Sequence, residues 1–202
     1  MKRIVFMVIA VLFVAGVAFS EEAGLVIDNF EGIISGGPDG TVDFGAGNGS
    51  SLQVSAATEQ VHSGKQSLRA AFDAVSGGYM YIARGEELDA KNAAWLVKAN
   101  DIKWSDFKGI SFWMYGAGSK EDIAFDVKDN GGEMWRFITS DDVKGWKQVI
   151  CIFDHFFART DWQPESADKN GILDFPIKSY QFEPLPVAKG TLYFDDVELI
   201  KK

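Results

Sequence analysis

Cysteine is nearly absent. The 202-residue chain has one, Cys151, so no disulfide can close within it. A reactive thiol needs a basic, accessible setting; Val149, Ile150 and Ile152 read instead as the inside of a strand, which makes Cys151 a small buried apolar residue. Histidine is almost as scarce. Only His62 and His155 are available for acid–base work, and neither has a serine or cysteine partner at a recognisable spacing. Cationic residues are outnumbered, 20 Lys and Arg against 29 Asp and Glu, for a formal charge of −9. That balance makes nucleic acid and anionic membrane surfaces poor partners.

Long hydrophobic runs are missing too, with one exception at the start. Lys2-Arg3 precede the apolar run Ile4 to Val14, and small residues lead to Ala18-Phe19-Ser20 before Glu21-Glu22. This is the order of a secretory signal, and the run is short for a bilayer span. An uncleaved anchor is the alternative, but no basic stop follows and there is no lipobox cysteine. The expectation is a signal over 1–20, a single domain over 21–202, and a secreted or periplasmic location with no membrane contact after cleavage. Without Lys2 and Arg3 the formal charge becomes −11. Roughly 180 residues suffice for one domain with a proper core.

What the chain does have is alternation. From Phe107 to Phe157 four strand-like runs follow one another with only turn residues between them. Ile110, Phe112 and Met114 alternate with Ser111, Trp113 and Tyr115; Ile123, Phe125 and Val127 alternate with Ala124, Asp126 and Lys128. Asp129-Asn130-Gly131-Gly132 supplies a tight reversal, so Met134 to Thr139 should pair antiparallel with the run before it, and Trp146 to Phe153 is the fourth run. Earlier runs are Leu25 to Phe30, Leu52 to Ala57, Ser67 to Asp73, and Tyr79 to Ile82, which sets two tyrosines on one side; Ile177 to Phe182 and Gly190 to Ile200 close the chain. Gly32 to Ser51 reads as a long irregular loop, and Ala90 to Leu96 as a short helical turn. About nine or ten short strands with little helix make an all-β antiparallel sandwich. Its first and last strands are expected side by side. Trp113, Trp135 and Trp146 sit among apolar strand neighbours and are assigned to the core.

Five short segments come in a telling order: IDNFEG at Ile27 to Gly32, HSGKQSLR at His62 to Arg69, FKGISFWMYG at Phe107 to Gly116, GWKQV at Gly145 to Val149 and LYFDDVEL at Leu192 to Leu199. Together they resemble family 11 carbohydrate-binding modules and the domain of complex I intermediate-associated protein 30. The resemblance implies a galactose-binding-like jelly roll over nearly the whole chain, a non-catalytic role and a carbohydrate partner. It also implies a structural calcium ion tying the first strand to the last, with Glu31, the carbonyl of Lys65, and Asp195 at the matching positions. Oxygen ligands suit such a hard cation. Two solvated acids at strand ends are the plainer reading of Glu31 and Asp195.

A sugar site needs aromatic faces for the C–H side of pyranose rings and amide, carboxylate and guanidinium groups for hydroxyl pairs. Tyr79 and Tyr81 share one side of their strand, Asp126 and Lys128 the polar side of theirs, and Arg136 and Gln181 are expected to join them. An ordinary solvated face with cross-strand charge pairs fits the same pattern. Arg159, Asp161, Trp162 and Gln163 fall in an irregular segment that either rims a site or caps the sandwich. Glycoside hydrolysis needs two placed carboxylates, yet no Glu-x-Asp-x-Glu strand is present. The leading expectation is an exported polysaccharide- or oligosaccharide-binding module. The alternative is a structural or assembly subunit of the envelope or a surface appendage, with an envelope protein as partner.

Overall fold

The computed structural model describes residues 24–202, and the expected signal over 1–20 lies outside them. Twelve strands run in chain order: β1 Leu25–Asp28, β2 Asp43–Gly47, β3 Ser51–Ala57, β4 Ser67–Asp73, β5 Tyr79–Gly85, β6 Phe107–Ala117, β7 Asp122–Lys128, β8 Met134–Ser140, β9 Lys144–Ile152, β10 Phe157–Ala158, β11 Ser179–Pro184 and β12 Lys189–Lys201. They form two antiparallel sheets. One has the order β3-β4-β12-β6-β9 with β1 paired to β12; the other has the order β10-β8-β7-β11-β5-β2. The expected sandwich is therefore present, and its first and last strands do pair, Leu25 opposite Leu199 and Val26 opposite Glu198.

Alternation decides which face of each sheet is dry. Ile110, Phe112 and Met114 of β6, Val149 and Cys151 of β9 and Leu192 and Phe194 of β12 face Met80, Ile82, Phe125, Val127, Tyr180 and Phe182 from the opposing sheet, all in one buried cluster. Phe182 and Phe194 stack across the two layers with ring centroids 3.9 Å apart. Cys151 is fully buried there, and burial holds its thiol well above the ordinary range. It is a packing residue, as expected.

Three expectations need correcting. The segment Gly32 to Ser51 is not all loop, since it contains β2, whose Asp43 to Gly47 pairs with Ala83 to Tyr79. Two glycines in a five-residue strand give little β-propensity to read. Ala90 to Leu96 is bends and turn, and the short helical turns come later, 3-10 in form, at Ala99–Asp101 and Trp104–Asp106. Finally, of the three tryptophans assigned to the core only Trp135 is there. Trp113 and Trp146 lie half-buried on the outer face of their sheet, because they occupy the alternate positions to Phe112 and Val149. His62 stacks on Trp113 at 3.8 Å and meets Trp146 edge-on at 5.5 Å, while Tyr115 packs edge-on against both Trp146 and Tyr193. This aromatic cluster ties the turn before β4 to β6, β9 and β12. His62→Ala is expected to lower stability by about 1 kcal/mol, read as a lower urea midpoint at unchanged slope; an unchanged midpoint would show that the cluster is idle.

Candidate binding site

The outer face of the second sheet is where the polar residues converge. Register sets Ala83, Gln181, Asp126 and Arg136 in one row across β5, β11, β7 and β8. Tyr81 and Tyr79 continue the same face of β5, and Glu183 the same face of β11. On the edge strand the residues opposite Tyr81 and Tyr79 are Gly45 and Gly47. A Cβ at Gly47 would come within 2.5 Å of the Tyr79 ring, and one at Gly45 within 3.1 Å of the Tyr81 ring. The missing side chain at Gly47 leaves room for the Tyr79 ring, and that at Gly45 relieves crowding of the Tyr81 ring.

At the centre of the face is a buried ion network. Arg136 binds Asp126 side-on, Nε to Oδ1 and Nη2 to Oδ2 at 2.8 Å each, and Nη2 also donates to Glu183 Oε2 at 2.6 Å. From the long segment after β10, Arg159 donates through Nη1 to Asp126 Oδ2 at 2.9 Å and Glu183 Oε2 at 3.0 Å. Its Nε and Nη2 hold Asp161 at 3.1 and 2.7 Å. The Gln181 amide donates to Asp126 Oδ2 at 3.1 Å. Burial pushes the Glu183 carboxyl up, against the pull of Arg136 and Arg159. Hydrogen bonds from Arg159 hold Asp161 down at about 2. Burial opposes the charge on Arg136, but its bonds to Asp126 outweigh that and raise its affinity for the proton.

Above this floor opens a cleft of about 790 Å³. Tyr79, Tyr81, Trp162 and Asp161 line it, together with Glu87, Leu88, Asp89, Leu185 and Pro186. Tyr79 and Trp162 are more than half exposed, at 53% and 55%, so their rings are open to a ligand. The Tyr81 hydroxyl lies 3.3 Å from Asp43 Oδ1, and burial together with that carboxylate pushes its phenol up to about 12, keeping it a neutral donor. The arginines' reach is fixed by neighbours. Gln163 clamps the long segment, its amide exchanging bonds with the backbone N–H and carbonyl of Met134 and donating to the Arg159 carbonyl. Arg159 lies 5.7 Å over the Trp162 ring. β1 and the residues before β2 are pinned to this sheet similarly: Arg84 of β5 binds the buried Asp28 at 2.7 Å and the Thr41 carbonyl at 2.6 Å, and Tyr180 donates to Asp28.

The sequence-expected ligand residues therefore divide. Tyr79, Tyr81, Arg136, Arg159, Trp162 and Gln181 line the cleft. Asp126 is fully buried beneath the arginines, so it is corrected from ligand contact to positioning residue. Lys128 is turned to Glu87, donating to its carbonyl at 2.7 Å, and Gln163 is spent on the backbone; these too are supports. Asp161, expected at a rim or a cap, also lines the cleft, as do Asp43, Glu87, Asp89, Glu183, Leu185 and Pro186, which had not been assigned to it. Glu183 carried a readable signal, since it sits two residues after Gln181 on the same face.

Two of the residues expected to hold calcium, Glu31 and Asp195, accept backbone amides. Glu31 Oε1 accepts from the backbone of Lys65 at 2.7 Å and Gln66 at 3.2 Å. Asp195 accepts from the backbone of His62, Ser63 and Asp196. The Gln66 amide nitrogen takes the place between the carbonyls of Phe30 and Gly32. Glu31 and Asp195 are thus both held by backbone amides of the segment leading into β4.

Removing the central carboxylate leaves two buried guanidinium groups short of a partner. Asp126→Ala is expected to cost about 3–5 kcal/mol in denaturant unfolding. Asp161 titrates at about 2 against an ordinary 3.8, so its stabilisation is present above about 3.8 and is lost as pH falls through about 2. The melting temperatures of wild type and Asp161→Asn should therefore differ at pH 6 and converge toward pH 2.

Comparison with known proteins places this geometry. A family model described as "Carbohydrate binding domain (family 11)" matches residues 19–202. Endoglucanase H of Acetivibrio thermocellus is 27% identical over 184 residues, which is 87% of this chain but only 18% of the length of that protein. The solved family 11 module from Clostridium thermocellum in complex with a β-1,3-1,4-mixed-linked tetrasaccharide superposes with a TM-score of 0.67 at 23% identity, covering 88% of this chain and 95% of that one. The module of the cellulosomal cellulase Lic26A-Cel5E of the same organism gives 0.68 at 20% identity, over 89% and 95%. Those superpositions speak for the fold. With the family match running from before β1 to the last residue, the chain belongs to the family 11 carbohydrate-binding domains.

Proposed function

We propose that the chain binds a β-glucan chain in the cleft of its second sheet, without catalysis, and that mixed β-1,3-1,4 linkage is the first candidate. The observation that carries this reading is the meeting of open aromatic rings and fixed hydrogen-bonding groups in one cleft: Tyr79, Tyr81 and Trp162 beside Arg136, Arg159, Asp161, Gln181 and Glu183. The rings offer flat apolar faces to the C–H side of the sugar, and the amide and carboxylate groups, with Nη1 of Arg136, take the hydroxyls. A related module is solved with a mixed-linked tetrasaccharide, which supports the choice of glucan.

Catalysis would need one carboxylic acid kept protonated and a second free to attack or to activate water. Here Asp161 and Glu183 are both ion-paired with Arg159, which suits holding hydroxyls. The basic, apolar and small-residue order from Lys2 to Ser20 supports export, and among the described residues no helix is long and apolar enough to cross a membrane.

Titration calorimetry with a mixed-linked β-glucan tests the reading. Tyr81→Ala is expected to weaken binding by about 2 kcal/mol, roughly thirtyfold. Absence of binding by the wild type, or an affinity unmoved in the Tyr79→Ala/Tyr81→Ala pair, would overturn it.

A further inference from the structure

Charge in the cleft is lopsided. Five carboxylates line it, from Asp43, Glu87, Asp89, Asp161 and Glu183, against two guanidinium groups, from Arg136 and Arg159. The arginines are committed to the protein. Arg159 spends Nε and Nη2 on Asp161 and Nη1 on Asp126 and Glu183; Arg136 spends Nε and Nη2 on Asp126 and Glu183. Only Nη1 of Arg136 has no such bond, and Asp161 Oδ2 already stands 3.8 Å from it. An anionic sugar is best received by a bidentate guanidinium edge, and neither arginine presents one. Lys128 stands 3.5 Å from Glu87 and offsets that carboxylate. Asp43 is met by the Tyr81 phenol and the Asp89 backbone amide, neither of them charged. The end of the cleft beside Tyr81 therefore presents uncompensated negative charge next to the aromatic platform.

We infer that Asp43 and Asp89 make this cleft a charge filter, selecting neutral glucans and rejecting chains that carry carboxylates, such as uronate-bearing or carboxymethylated polysaccharides. The inference rests on the proposed glucan site and adds what that site excludes. Discrimination of this kind comes from like charges set close together without a counter-ion, and it weakens with salt as the screening length falls from about 10 Å at 0.1 M to about 3 Å at 1 M. Uncharged substituents of the same size are not subject to it.

Affinity electrophoresis or calorimetry of the full chain against three polymers tests it: mixed-linked β-glucan, the same glucan hydroxyethylated, and the same glucan carboxymethylated to equal substitution. At 10–20 mM salt the carboxymethyl derivative should bind at least about tenfold more weakly than the hydroxyethyl one. That ratio should shrink at 1 M salt and also in Asp43→Asn/Asp89→Asn, whatever the double variant does to neutral binding. Equal binding of the two derivatives, with the parent glucan bound, overturns the filter and leaves the glucan site standing. A gap that persists unchanged at high salt and in the double variant also overturns it, because the cause would then be steric. If none of the three polymers binds, the glucan site itself is wrong, and the filter goes with it.

Discussion

The side-on pairing of Arg136 with Asp126, extended by Arg159, Glu183 and Asp161, is the constraint on which the site depends. Asp126 is fully buried on the outer side of its sheet, where alternation would ordinarily leave a side chain in water. A carboxylate is kept charged in such a place only when its oxygens are filled by ionic donors. Two guanidinium groups and the Gln181 amide do this, drawing β7, β8, β11 and the segment after β10 to one point. A hydrophobic floor of equal volume would be as stable or more so. What the ions add is direction, for each guanidinium is locked in plane and so is every donor or acceptor left over for a ligand.

Platform and floor are made by different means. The tyrosine rings have room because of what is missing from the neighbouring strand: at Gly47 a methyl group would displace the Tyr79 ring, and at Gly45 it would crowd that of Tyr81. The edge strand is thus weak as a strand and useful as a bed. Its pairing with β5 survives low propensity because Phe44 and Ala46 still turn inward against the core.

Much of this was legible in the residues. Period-two alternation sorted Phe125 from Asp126 and Met80 from Tyr81 correctly, and with them the dry and wet faces, because each strand buries only one side. The same rule, applied to Trp113 and Trp146, pointed outward, and the structure agrees with the rule; it was size and apolar neighbours that argued for the core. The edge strand β2 stayed hidden because its two glycines look like loop until the rings they make room for are known. Nor does any spacing in the sequence say that Asp126 would be covered. That depends on Arg159, 33 residues further on, folding back across it. Likewise Asp89 reaches the cleft through a loop, whose course no periodicity records, and Asp43 through the hidden strand β2.

The commitment of the arginines follows from the same economy. A domain that binds a flexible polymer gains affinity when its own groups need no reordering, since each side chain immobilised on binding costs about 0.5–1.5 kcal/mol. Five acidic or basic side chains, Asp126, Arg136, Arg159, Asp161 and Glu183, are already fixed in the free protein by contacts of 2.6 to 3.1 Å. The ordering cost has therefore been met in folding, and the desolvation of those charges with it. What such a floor loses is the ability to answer a charged ligand with a charge of its own, because its cations have none to spare. A rigid cleft built on internally neutralised arginines, set in a chain of formal charge −9, suits the neutral hydroxyl-rich chains proposed for it.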